Sequence, residues 1–504
     1  MFKSTIQVTL FSVLGIIISF ITQLLLAYYF GTTQDRDAYF AALTIPAYIT
    51  TLFVGSIGMM FLPYLVKYQT ENHSGSIVKF ATAVINGCFL ALLAIVLVGY
   101  LMSQPVMELM LPFSKSAILP TAIYLFRIQL VSIVFTVLST LLAAVFQAKH
   151  SFLAPAVFPI ISSFTTLLFV GLLSPAWGIS SIAYGTLLGA FLSFLFMLIL
   201  VLKRFQYKWT FSLRQPGLNS LLLASLPLFG AGVIFRSYTV FERFFAARLP
   251  DGSLSYLGSG NQIVVILSTI VSSGIATTSF PLLSKYWSNN DLDALEKGFT
   301  KVVNLIVLII FPMIVVFAVC GIDMISILFE HGAFTEKDTL ALYYTLLGLM
   351  GFFLFSSVGN VAARMLYMSQ NTWTAAIIGT MELLVYIASA FVLGRLYQFV
   401  GLAISLSIGA AFNIILSFIF IKRRVINKLD FRALITRFGA ICIVAAFVFL
   451  LTFLVYRHLL THAGSLARSI ITVISVVLLY WFFLAKMTKD PSYEALVKQI
   501  KRKK

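Results

Sequence analysis

A chain of 504 residues that is 60% hydrophobic, 10% charged and rich in Phe, with 48 of them, lies far outside the composition of a soluble globular domain. A mean hydropathy of +1.00 and a net charge of +18 describe instead an all-α polytopic membrane protein with cationic loops. Nucleic acid is excluded as the reason for the charge, because the cations sit in loops and in a basic tail, KQIKRKK, suited to anionic headgroups.

A bilayer core of about 30 Å takes about 20 apolar residues per helical crossing. Fourteen segments qualify in chain order, roughly 7–29, 38–66, 78–101, 119–148, 152–173, 179–202, 221–247, 254–283, 299–320, 339–368, 373–393, 401–421, 431–456 and 466–485. The first apolar run is too long for a cleavable signal and lacks a small-residue cleavage pattern, so it is expected to stay as a span. With the N-terminus cytoplasmic, 24 of the 35 cations fall on the cytoplasmic side, seven on the other, and Arg127, Arg236, Arg243 and Arg364 inside spans. Cationic loops resist translocation, so both termini are expected in the cytoplasm.

The second span is the least regular, with Pro46, Gly55, Gly58 and Pro63 in or beside IPAYITTLFVGSIGMMFLP. Such residues bend a helix and expose backbone groups to a lumen, or else permit close helix packing. The eighth span repeats the theme with Ser272, Ser273, Gly274, Thr277 and Thr278. LPYLVKY at 62–68 is echoed by FPLLSKY at 280–286, and GTLLGAFLSFLF at 185–196 by GAAFNIILSFIF at 409–420. The matches keep their order at nearly one offset, which predicts two six-helix lobes, 1–215 and 216–430, in pseudo-twofold relation about the membrane normal. Two added spans (431–486) and a basic cytoplasmic tail (487–504) complete the expected organisation.

Cys88, Cys320 and Cys442 lie within or at the ends of apolar spans without ligand spacing, and His73, His150, His331, His458 and His462 fall in loops or at interfaces. No nucleophile and base pair, phosphate-cradling glycine loop or cofactor fingerprint is present, so neither catalysis, nor a metal, nor a cofactor is expected.

An arginine near mid-bilayer costs about 2.5–3.5 kcal/mol on insertion scales, so it faces water or a partner. Arg236 and Arg243 are seven residues apart, two turns, and so share one face of the seventh span. Glu242 is rotated away by about 100° and is expected to pair with a cation on another helix, Arg127 being available. Arg236, Arg243 and Arg127 are the candidate cavity cations for an anion, since guanidinium stays charged and donates paired hydrogen bonds to phosphate. The alternative is that they pair with Glu242 and only fix helix packing, or snorkel to the outer interface. Arg248 and Arg364 lie near span ends, where snorkelling is the default and a functional role, for Arg364 in pairing, gating or coupling, is the alternative. Glu382 stands in the eleventh span either to couple to a proton or ion or to bond a neighbouring helix.

Five stretches, FGTTQDRDAYFAALTIP (30–46), FLPYLVKY (61–68), LPDGSLSYL (249–257), FPLLSKY and ILFEHGAFTEKDT (327–339), resemble the MurJ/MviN family of lipid II flippases in the multidrug/oligosaccharidyl-lipid/polysaccharide exporter superfamily. The resemblance covers nearly the whole chain. It implies alternating access between two lobes, a central cationic cavity for a diphosphate and sugar head, and a groove at the last two spans for a polyprenyl tail. Asp37 matches the family's acidic residue at the start of span two, for gating or structure. The family's span-one arginines have no counterpart between Gln7 and Tyr29; its paired span-two arginines correspond to Thr50 and Thr51, and an acid-arginine pair in span eight to Asn261 and Gln262.

The expected function is a flippase moving a polyprenyl-diphosphate-linked saccharide across the cytoplasmic membrane, with cations of span seven replacing those missing elsewhere. It is expected to act as a monomer among membrane lipids, alone or with glycan-synthesis proteins, and to draw on an ion gradient or the membrane potential. The alternatives are an exopolysaccharide or O-antigen unit flippase, a cation-coupled drug exporter and a non-transporting scaffold. The exporter fits less well, because intramembrane arginines outnumber carboxylates.

Overall fold

A computed structural model describes residues 2–70, 74–112, 117–205, 218–369, 372–427, 430–460 and 463–487. The tail beyond 487, the linker at 206–217, and His73 and His462 lie outside them, as do the side chains of Ser272, Ser273, Thr277 and Thr278.

Every regular element among the described residues is helical, as lipid demands of a backbone that must satisfy its own hydrogen bonds. The chain runs through α1 (Phe2–Phe30), α2 (Gln34–Phe53), a single π turn (Val54–Gly58) and α3 (Met59–Thr70), the last three forming one apolar stretch. It continues with α4 (Ser74–Leu101), the short α5 (Ser103–Met110), α6 (Leu119–Ala148), α7 (Leu153–Trp177) and α8 (Ser180–Phe205). Then come α9 (Leu218–Ala246), α10 (Ser253–Ser288), α11 (Leu292–Phe329), α12 (Glu336–Met368), α13 (Thr372–Arg424), α14 (Phe431–His458) and α15 (Ser465–Met487).

Among the described residues, thirteen helical stretches are long and apolar enough to cross a bilayer. The 53-residue α13 is two of them in series, broken at Gln398 (φ 53°, ψ −132°), so the fourteen expected crossings are present. Gly401 closes that break: a Cβ there would stand 2.0 Å from the Leu393 carbonyl oxygen.

Packing separates the chain into two units. The first holds Met1–Ser255 together with Gly332–Phe334, so α9 packs with the N-terminal helices, and the second holds the remainder. The sequence echo and the packing boundary measure different things, duplication and contact.

In the first unit α6 is the central helix, its length lined with buried Leu, Val, Ala and Phe, and α2, α4 and α8 lie against it. The anomaly foreseen in the second span is the π turn, where one extra residue interrupts the α-helix between Pro46 and Pro63. Thr50 and Thr51 turn back on their own helix, donating to the carbonyls of Pro46 (2.9 Å) and Tyr48 (2.9 Å). Such back-bonding favours bending.

In the second unit α11 carries a non-helical residue at Cys320 (φ −119°, ψ 17°), and one turn later Asp323 is buried. Asp323 accepts from Arg468 of α15 (2.8 Å) and from the Tyr456 hydroxyl of α14 (2.7 Å), which fastens both added spans to α11. Asp291 and Asp430 cap α11 and α14, accepting from the amides of Ala294 and Ala433 at 3.0 Å each.

The GAF turn of ILFEHGAFTEKDT docks on the end of α1. The Ala333 amide donates to the Tyr28 carbonyl (2.8 Å), and Gly31 (φ 52°) and Gly332 (φ 63°) face this contact. A Cβ on Gly31 would stand 2.3 Å from the Ala333 oxygen, and one on Gly332 2.3 Å from the Tyr28 oxygen. Backbone cannot yield as a side-chain tip can, so Gly31→Ala and Gly332→Ala should each destabilise the detergent-solubilised protein by about 1–3 kcal/mol, read as a lowered thermal midpoint. Gly439→Ala, in a helix with open space around its Cβ position, should be neutral or stabilise by up to about 1 kcal/mol.

Candidate functional site

The second and seventh spans run antiparallel in close contact, and this pairing builds the site. Tyr64 donates to the Ser220 carbonyl (3.1 Å), Phe53 meets Phe229 edge-on (6.1 Å between centroids), and Tyr48 donates to the Val233 carbonyl (2.8 Å). Gly232 permits the approach, since a Cβ there would come within 3.1 Å of Leu52. The predicted arginine face of α9 is the face turned to α2.

Arg243 is buried at one end of this pairing. It donates to the Leu254 carbonyl (2.8 Å), and its guanidinium carbon lies 5.1 Å from the Phe40 ring centroid. Arg36, fully buried, approaches the same ring at 5.8 Å and donates to the Gly31 carbonyl (2.5 Å). Glu242 is fully buried too.

Asp37 anchors this cluster. One carboxylate oxygen accepts from the Gly252 amide (2.8 Å), and the other from the Ser255 amide (2.9 Å) and hydroxyl (2.7 Å). The carboxylate therefore caps the first turn of α10 from another helix, satisfying amides that have no helical partner and complementing the positive end of the helix dipole. Gly252, at φ 87°, supplies the backbone turn that aims its amide inward. This explains LPDGSLSYL as a receiving loop. Sequence reasoning singled out Asp37 but missed Arg36 beside it; a charged pair directly after the FGTTQ turn was the available signal.

Arg236 differs from these buried cations. It is half-buried within the span, forms no hydrogen bond or ion pair among the described residues, and lays its guanidinium over Gly55 of the π turn. Because Cα–Cβ bonds tilt toward the helix N-terminus, the side chain leans back along α9 to reach that level. A charge so placed must be hydrated or neutralised by something outside the described chain.

The other sequence candidates fall elsewhere. Arg127 donates to the Ser103 hydroxyl (2.8 Å) and lies 4.6 Å from the Tyr100 ring, holding the α4–α5 junction. Arg248 is exposed, bonded to the carbonyl of Phe244 (2.6 Å) one turn before it. In the second unit Arg364 is exposed, 5.6 Å from the Phe280 ring, and Glu382 accepts from the Asn413 side-chain amide (2.6 Å) across the two arms of α13. Among the described residues no three metal-ligating side chains converge.

Fourteen apolar crossings enclosing buried and half-buried charge define a polytopic membrane protein. A profile of the lipid II flippase MurJ family matches residues 26–490. The probable lipid II flippase MurJ of Buchnera aphidicola from Schizaphis graminum is 23% identical over 492 residues, covering 94% of either chain. Lipid II flippase MurJ of Burkholderia cenocepacia is 22% identical over 438 residues, 84% of either chain. Among solved structures, lipid II flippase MurJ in an inward closed conformation superposes with a TM-score of 0.82 at 23% identity, over 98% of this chain and 100% of the other. An inward-facing multidrug transporter of the MATE family superposes with a TM-score of 0.71 at 15% identity, over 82% and 94%. The chain belongs to the MurJ lipid II flippase family.

Asp37→Ala leaves two amides and a hydroxyl without their acceptor in a buried setting. It should cost about 3 kcal/mol of stability, measured by denaturation in detergent; a loss under about 1 kcal/mol would show that the carboxylate is not the cap.

Proposed function

We propose that the protein is a lipid II flippase of the inner membrane, carrying this polyprenyl-diphosphate-linked saccharide from the cytoplasmic to the outer leaflet by alternating access, with both termini cytoplasmic. The observation that carries the site assignment is Arg236, a half-buried guanidinium without a partner among the described residues of a membrane-crossing chain. A diphosphate offers such a group two negative charges and several acceptor oxygens, matched to the planar fork of donors that guanidinium presents. Arg243, Arg36 and Asp37 are spent on internal contacts and frame the site. Membership of the family supports the choice of cargo. No catalytic step is required, since translocation breaks no bond. The driving force we assign to an ion gradient or the membrane potential.

Complementation of a strain depleted of its own peptidoglycan-precursor flippase tests this reading. The wild-type protein should restore growth, Arg236→Ala should fail at matched abundance, and Arg236→Lys should rescue partially. Rescue by Arg236→Ala equal to wild type overturns the site, and failure of well-expressed wild type overturns the cargo.

A further inference from the structure

The unusual feature beside Arg236 is what lies under it. A Cβ built on Gly55 would stand 2.9 Å from Nη2 of Arg236, 3.4 Å from its Cζ and 3.6 Å from its Nε. Three guanidinium atoms at such distances mean that the group rests against the Gly55 backbone, in space that any other residue would occupy. Gly55 belongs to the π turn, where the helix is locally wider.

The neighbouring glycine of the same turn has no such role. A Cβ on Gly58 would meet only Val54 Cγ1 at 3.9 Å and the Phe53 carbonyl oxygen at 4.0 Å, ordinary van der Waals distances. Close helix packing therefore does not account for Gly55: the group it accommodates is the charged tip of a side chain. Such a tip is flexible, so a methyl group at 55 would displace the guanidinium at small cost to the fold.

We infer that Gly55 is a positioning residue for diphosphate binding: with the π turn it forms a seat that holds the Arg236 guanidinium against the second span and presents its hydrogen-bonding edge to the cargo. This inference rests on the assignment of Arg236 to the diphosphate. Bidentate recognition depends on the orientation of the guanidinium plane as well as on its charge, so a seat that fixes the plane contributes affinity that charge alone does not. Ser56, in the same turn, bonds back to the Leu52 carbonyl (2.5 Å) and is fully engaged in holding the turn.

Titration of the purified, detergent-solubilised full-length protein with farnesyl diphosphate, followed by calorimetry, tests the seat. Gly55→Ala should weaken binding roughly fivefold with an unchanged thermal midpoint, less than Arg236→Ala, which removes the charge as well as its orientation. The double variant should bind within about twofold of Arg236→Ala, because without the guanidinium the seat has nothing to hold. Gly58→Ala should bind as wild type. Wild-type affinity in Gly55→Ala alongside a loss in Arg236→Ala overturns the seat and leaves the diphosphate assignment standing. An equal loss in Gly58→Ala and Gly55→Ala also overturns it, by assigning the effect to the helix. Wild-type affinity in Arg236→Ala overturns the underlying assignment itself.

Discussion

One carboxylate governs much of the first unit. Asp37, fully buried, accepts from two backbone amides and a hydroxyl at the start of α10, and Arg36 and Arg243 converge on Phe40 one turn away. In a membrane protein the hydrophobic effect does little to choose between one arrangement of greasy helices and another, since lipid tails are as apolar as leucine. Polar contacts that cannot be satisfied elsewhere decide the register. The Arg243 end of the α2–α9 pairing, the loop at 249–255 and the docking of GAF on α1 all sit at the end of the unit where these contacts lie.

That division of labour separates two kinds of intramembrane arginine. Arg243 and Arg36 have their charge answered inside the protein, by carbonyls and an aromatic face. Arg236, two turns from Arg243 on the same helix face, has no such answer among the described residues. Buried ionic groups fix geometry at a desolvation cost, whereas a half-exposed cation held over a flat glycine surface keeps its donors available. Charge answered within the fold and charge without a partner among the described residues are thus neighbours on one helix.

The helices themselves were legible in the sequence, because apolar runs of span length have few other meanings. The shared face of Arg236 and Arg243 followed from a spacing of seven, and the irregularity of the second span from Pro46, Gly55, Gly58 and Pro63. What a helix face packs against was not legible. The sequence offered Arg127 as partner for Glu242, yet Arg127 serves Ser103 and Tyr100. Glu382 gave no sign of Asn413, because the two meet only when α13 folds back at Gln398, a residue with no turn signature of its own. The break at Cys320 likewise has neither Pro nor Gly at its own position; Gly321 follows it.

The π turn also has a consequence for how this chain can vary. One surplus residue rotates everything beyond it by about 100° relative to an uninterrupted α-helix. A single-residue deletion within 54–58 would let the helix heal into regular geometry, yet it would swing Tyr64 away from the Ser220 carbonyl it now reaches. Length in this segment is therefore constrained along with the identity of Gly55: losing one codon here would cost the chain the far end of the helix pairing as well as the turn itself.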